Sequence, residues 1–176
     1  MKIEKMAFLD VYTFENNSGI MGAILVTDPD TKPLEFRITA PIKPTNFQKT
    51  LYGDVLLEHI LVELIALPLL GAIKDDLDLI LVRDPLFLGI NSKQGVRAIR
   101  LFSDQDGMTH SKKSGEEQNK LAGDFGVFVE TSKKFSSELP EISEKLSQIS
   151  AMRNLIEPFD RLKTACEQVH LQKIDE

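Results

Sequence analysis

The chain has 176 residues, of which 42% are hydrophobic and 27% charged, and its formal net charge is −6. These values predict one soluble domain with a sizeable core, and the acidic balance disfavours a large nucleic-acid or anionic-membrane footprint. The single Cys166 excludes an internal disulfide and indicates a reducing, cytoplasmic compartment, while three scattered histidines disfavour a zinc site.

The amino-terminal part has no signal-peptide pattern but contains strand-like runs separated by short turn signals. These runs cover residues 7–14, 20–27 and 34–40. The first run alternates, so that Asp10 shares one face with Phe8, Tyr12 and Phe14. Because the connections are short, we expect an antiparallel three-strand meander.

The most apolar stretch, residues 45–73, predicts a helix that crosses the sheet. Thr45 and Gln48 have capping-box spacing, while Pro68 and Gly71 are expected to end the helix. On a helical wheel one wide arc is apolar, formed by Leu56, Leu57, Ile60, Leu61, Leu64 and Ile65. A membrane span is disfavoured because each of the two central glutamates, Glu58 and Glu63, would cost roughly 2.5–3.5 kcal/mol in the bilayer.

The segments after this helix predict further strands. Residues 77–82 are a buried strand, expected to lie parallel to one of the first three because a helix intervenes. Residues 86–90 indicate a short helical turn, 96–103 fit either a strand or a short helix, and 125–130 predict a final strand. Residues 103–124 are polar and are expected to form a mobile or functional loop.

From residue 136 onward, apolar residues recur at spacings of three and four, and Pro158 is expected to kink or split the resulting helix. We therefore expect an α/β sheet domain over 1–135 with a mixed sheet. A helical segment over 136–176 would pack on that domain or on a partner.

The order of three strands, a helix and a strand resembles the ribonuclease H-like superfamily over the first half of the chain. Three carboxylates carry the resemblance: Asp10 within the first strand, Glu58 on the helix and Asp84 at the end of the fourth strand. Gly22–Leu25 and the run 88–90 are also similar to that family. The resemblance implies a nuclease or phosphodiesterase, or an inactive relative, in which these three residues are catalytic and hold Mg²⁺ or Mn²⁺. Glu130 or Asp160 would be the fourth carboxylate.

A physical argument for the same residues stands apart from the resemblance. The Asp10 carboxylate lies on a strand that we expect to be covered, so it needs a partner or a metal, and Asp84 lies where α/β sheets commonly bind ligands. Each also has a simpler interpretation. Asp10 would pair with Arg37, Glu58 would be solvated, and Asp84 would start a turn before Pro85.

A second hypothesis is a non-enzymatic assembly or partner-binding module. If it were continuous, the carboxy-terminal helix would be on the order of 50 Å long. Part of its apolar stripe would then be available for a homo-oligomer or a protein partner. Nucleic acid is a partner only under the nuclease hypothesis, and no membrane partner is expected.

Overall fold

Seven strands form one mixed sheet in the computed structural model, which describes residues 1–13, 19–103, 117–120 and 127–175. The strands are β1 (Met6–Thr13), β2 (Ile20–Thr27), β3 (Pro33–Ile38), β4 (Leu79–Val82), β5 (Ala98–Ser103), β6 (Glu117–Lys120) and β7 (Val127–Thr131). Their order is β3-β2-β1-β4-β5-β7-β6. The β1–β4 and β4–β5 pairs are parallel and the others antiparallel, which confirms the α/β class, the meander and the crossover.

The helices cover both faces of this sheet. The central helix, Asn46–Ala72, is a composite of α1 (Asn46–Tyr52), a 3-10 turn (Gly53–Val55), α2 (Leu56–His59), a π-helical segment (Ile60–Ala66) and α3 (Leu67–Ala72). Two further 3-10 helices are Pro85–Ser92 and Lys133–Glu138. The carboxy-terminal helices are α4 (Leu139–Ser150) and α5 (Glu157–Asp175).

Alternation along β1 divides the core into two layers. Met6 and Phe8 face α4 and α5, whereas Ala7 and Leu9 face the central helix. The apolar stripe of α4 and α5 is buried on this sheet, from Leu139 through Cys166. Among the described residues, the carboxy-terminal helices therefore have most of their apolar surface inside their own domain. The chain breaks between α4 and α5, and Pro158 lies in the first turn of α5.

The central helix departs from the predicted wheel. The capping box is confirmed, because Gln48 N donates to Thr45 Oγ1 (3.1 Å) and Thr45 N donates to Gln48 Oε1 (2.8 Å). The predicted arc is wrong, since Leu57 and Leu64 are exposed. A π-helical segment has a different period from the 3.6 residues per turn of an α-helix, so the buried face changes. It now comprises Ile60, Leu61, Val62, Ile65, Ala66 and Leu69.

Close packing fixes the central helix against β2. A Cβ built on Gly22 would lie 2.1 Å from Ile65 Cγ2, so only glycine allows this approach. Among the described residues, Asn46–Ala72 is also long and apolar enough to cross a membrane, with a mean hydropathy of 2.0 and 33% of the tested window buried. A core helix meets the same criterion, and the second half of this helix packs on the sheet.

Other predictions have mixed outcomes. Residues 98–103 are a strand, which settles the choice between strand and helix, and the helical turn after Asp84 is the 3-10 helix Pro85–Ser92. Pro68 and Gly71 lie inside α3, so the helix ends later than expected, at Ala72. Of the polar segment 103–124, only Ser103 and strand β6 lie within the described residues, so the predicted loop is outside them, as is Phe14.

Candidate functional site

A cavity of about 380 Å³ lies at the carboxyl ends of β1, β4 and β5. Since β1 and β4 run parallel, their carboxyl ends meet at one edge of the sheet, where α/β sheets commonly bind ligands. The lining residues come from all three strands and the segment after β4: Asp10, Arg83, Asp84, Pro85, Arg100, Leu101 and Phe102. Two of the three predicted carboxylates, Asp10 and Asp84, therefore lie in the same cavity.

Asp84 is held in place by the helix that it begins. Its Oδ1 accepts a hydrogen bond from Leu86 N (2.9 Å), which makes it the N-cap of the 3-10 helix Pro85–Ser92. Pro85 suits this position because its missing N–H would have no helical partner there. The simpler interpretation of Asp84, a turn residue, thus describes its local structure and also explains why its carboxylate faces the cavity in a fixed orientation.

Asp10 is half-buried, and its charge is costly there. Its Oδ1 accepts a hydrogen bond from Val11 N (2.9 Å). Burial raises the pKa of Asp10 to about 6, and the negative charge of Asp84 acts in the same direction, whereas Val11 N–H and the cation of Arg83 oppose it. The expected pairing with Arg37 is not made, since Arg37 instead pairs with Glu35 (2.9 Å). A buried carboxyl group with a raised pKa in a cavity is typical of functional sites.

Glu58 lies outside the lining of this cavity. It is exposed on α2, on the side of the sheet covered by the central helix, whereas Asp10 shares its face of β1 with Phe8. Its closest documented neighbour is Gly89, where an added Cβ would lie 3.3 Å from Glu58 Oε1. Glu58 therefore contacts the 3-10 helix that begins after Asp84. Among the described residues, no three His, Cys, Asp or Glu side chains form a group that could hold a metal.

The sequence interpretation missed two arginines of the cavity. Arg83 is exposed and directly precedes Asp84, which was the available signal. Arg100 is buried, donates from Nε to Arg83 O (3.1 Å) and pairs with Glu130 at 2.5 Å. Strand pairing explains this contact, because Arg100 and Glu130 are directly opposed in the β5–β7 register. Glu130, one of the two candidates for a fourth carboxylate, thus neutralises Arg100.

The first turn of α5 closes the Asp10 side of this edge. Tyr12 Oη donates to Phe159 O (2.8 Å), and the Phe159 ring packs edge-on against Phe8 with centroids 5.3 Å apart. The Arg83 guanidinium lies 5.9 Å from the Phe159 ring centroid. Burial raises the pKa of Tyr12, so this hydroxyl stays protonated and keeps donating at physiological pH. Asp160, the other candidate for a fourth carboxylate, is exposed and does not line the cavity.

Comparison with known proteins gives structural similarities only. Neither a family model nor a curated protein matches this sequence. Endonuclease V from Streptomyces avermitilis is 14% identical over 74% of this chain and 66% of its own, just under two thirds, with a TM-score of 0.46. Endonuclease V from Bacillus subtilis is 14% identical over 97% and 83%, with the same TM-score. Endonuclease V from Ciona intestinalis, solved with a 24mer DNA containing an inosine followed by a ribo-adenosine, is 13% identical over 78% and 76%, with a TM-score of 0.43.

At these identities and TM-scores, the similarities carry no argument about this chain. Its resemblance to the ribonuclease H-like fold depends on its own strand order, an antiparallel meander followed by a helix and a parallel β4 next to β1. A role for the cavity must be argued from the residues that line it.

Proposed function

We propose that the cavity at the carboxyl ends of β1 and β4 is the site of a divalent-metal-dependent phosphodiesterase of nuclease type, or of an inactive relative. The observation that carries the proposal is that Asp10 and Asp84 line one cavity together with the exposed cation of Arg83. Two carboxylates beside an arginine suit a phosphodiester better than a neutral ligand, because the arginine can bind a phosphate oxygen while the carboxylates hold a cation.

The two carboxylates fit Mg²⁺ or Mn²⁺. Both offer hard oxygen ligands, and in each the Oδ1 atom accepts from a backbone amide, which leaves Oδ2 for a cation. Magnesium is commonly held by one or two carboxylates, with water and substrate phosphate completing its coordination, so a third protein ligand is not required. When bound, such an ion polarises the phosphoryl group and lowers the pKa of water.

The remaining residues have distinct roles in the proposal. Arg83 binds the phosphate, because its cation is exposed at the mouth of the cavity. Arg100 is a positioning residue, since Glu130 neutralises it and its Nε holds the Arg83 carbonyl. Glu58 is proposed as the third catalytic carboxylate. It is supported by its contact with the 3-10 helix that Asp84 begins, although it lies outside the cavity lining.

A metal titration tests the proposal. We expect Mg²⁺ or Mn²⁺ to raise the melting temperature of the wild-type protein, and the shift to disappear in Asp10→Asn and in Asp84→Asn. Each of these variants keeps the oxygen that accepts the backbone hydrogen bond. Glu58→Gln separates the roles: a lost shift makes Glu58 a ligand, and a retained shift with lost cleavage makes it catalytic. An Asp76→Asn variant changes an exposed carboxylate elsewhere and is the matched control.

Activity is measured with labelled single- and double-stranded DNA and RNA in the presence of Mn²⁺. Nucleic acid is the first substrate class to test, even though the net charge of −6 disfavours a long electrostatic footprint. A metal-dependent shift without cleavage would identify an inactive relative. If neither divalent ion stabilises the wild-type protein and no strand is cleaved, the metal site does not exist.

The alternative function, assembly through the carboxy-terminal helices, has less support. The stripe that was expected to bind a partner packs instead on the sheet, with Leu146, Phe159 and Leu162 fully buried. The exposed apolar residues outside the sheet lie mainly on the first half of the central helix.

A further inference from the structure

The first half of the central helix carries a large apolar surface that covers nothing within the described chain. Every residue from 46 to 59 is exposed or half-buried, and α1, the 3-10 turn and α2 bury none of their side chains. The large apolar residues concerned form what we call the helix surface: Phe47, Leu51, Tyr52, Val55 and Leu57. Phe47 is 71% exposed, Leu51 65% and Val55 58%.

We propose that the helix surface binds the same surface of a second copy of this chain, related by a two-fold axis. In such an interface each patch meets itself in the reversed direction. This inference is independent of the proposed phosphodiesterase function.

The charges along the helix surface are arranged for this reversal. Lys49 lies in its first part, and Asp54 and Glu58 lie in its second part. A two-fold axis between these parts would place the basic part of one copy opposite the acidic part of the other. Among the described residues, Lys49, Asp54 and Glu58 take part in no ion pair, so their charges are available for such contacts.

The middle of the helix surface allows close approach. Gly53 separates α1 from the 3-10 turn, and a Cβ built on it would meet nothing within 4 Å. This leaves a notch between Leu51 and Val55, into which an apolar side chain of the second copy could insert.

The exposed apolar area is also of the size that an interface needs. The five side chains present on the order of 400–500 Å² of apolar surface, which is at the upper end for a free monomer. A standard interface takes about 800 Å² from each partner, so the helix surface with its polar rim supplies a core of suitable size. A membrane is a poorer occupant, because Asp54, Glu58 and a net charge of −6 would be repelled by an anionic bilayer.

The test is a mass measurement by light scattering or sedimentation over a concentration series of the full chain. We expect a concentration-dependent dimer, and Leu51→Glu should weaken its dissociation constant about tenfold or more. Because Leu51 is exposed, this change should leave the circular dichroism spectrum and the melting temperature of the monomer unaltered. Met152→Glu is the matched control: Met152 is 77% exposed but lies between α4 and α5, and this variant should dimerise like the wild type.

A charge reversal gives a second, independent readout. Lys49→Glu should weaken the dimer, and Lys49→Glu combined with Asp54→Lys should restore it, which a general loss of stability would not do. The proposal fails if the wild-type chain is a monomer at every concentration, or if the dimer survives Leu51→Glu. It also fails if a dimer is lost in Leu171→Glu, a change on α5, or if the monomer binds lipid vesicles through Phe47 and Leu51.

Discussion

Replacing Asp10 with asparagine should stabilise the metal-free protein at neutral pH. The pKa of Asp10 is about 6 in the folded chain and 3.8 for the unperturbed side chain, mainly because burial disfavours the charged form. The folded state therefore binds more protons than the unfolded state between these two values. The free energy of unfolding consequently falls as pH rises through this range and stays at its lower value above pH 6.

The shift sets the size of the effect. It corresponds to about 3 kcal/mol at most, and since Asp10 is only half-buried, solvent screening should reduce this to about 2 kcal/mol. The asparagine side chain cannot ionise but can still accept the hydrogen bond from Val11 N. For a chain of this size, the variant should melt about 4–8 °C higher at pH 8 and at nearly the same temperature as wild type at pH 4.

The assay is urea or thermal unfolding at a series of pH values in chelator-containing buffer. The wild type should lose stability between about pH 4 and pH 6, and Asp10→Asn should lose less. Asp76→Asn, which changes an exposed carboxylate, should follow the wild-type curve. If Asp10→Asn were less stable than wild type at pH 8, or kept the same pH dependence, the burial of an unfavourable charge at Asp10 would be refuted.

Three further predictions concern packing and capping. Gly22→Ala should lower the free energy of unfolding by about 1–3 kcal/mol because its Cβ would overlap Ile65, whereas Gly71→Ala, in open space on α3, should be neutral or stabilising by up to about 1 kcal/mol. Arg100→Met should cost about 3–5 kcal/mol because it leaves Glu130 buried without this partner, and adding Glu130→Leu should recover much of the loss. Thr45→Ala should cost about 1 kcal/mol, since it removes half of the capping box.

Chemical denaturation measures all three. Equal effects of alanine at Gly22 and Gly71 would contradict the close helix–sheet approach, and a double variant at Arg100 and Glu130 no more stable than the single one would contradict their pairing. If Thr45→Ala and the exposed Thr50→Ala cost the same, the cap contributes nothing beyond side-chain propensity.

Local signals in the sequence predicted most of the elements correctly. Alternation located β1 and β2, the Thr45–Gln48 spacing located the helix start, and Asp84 before Pro85 marked the end of β4. These features depend on interactions between residues close in sequence, so a linear pattern contains them. The placement of Asp10 and Asp84 at one edge also followed, because a helical crossover makes β1 and β4 parallel.

Other features depend on contacts between distant segments, and only the tertiary structure decided them. The period of the central helix changes at Ile60–Ala66, so the wheel assigned Leu57 and Leu64 to the core although both are exposed. Whether Arg100 meets Glu130 depends on the β5–β7 register, and a shift of one residue would place their side chains on opposite faces. Asp10 and Asp84 share a cavity while Glu58 lies beyond it, because side-chain positions depend on which layer covers each face, a property that no single segment encodes.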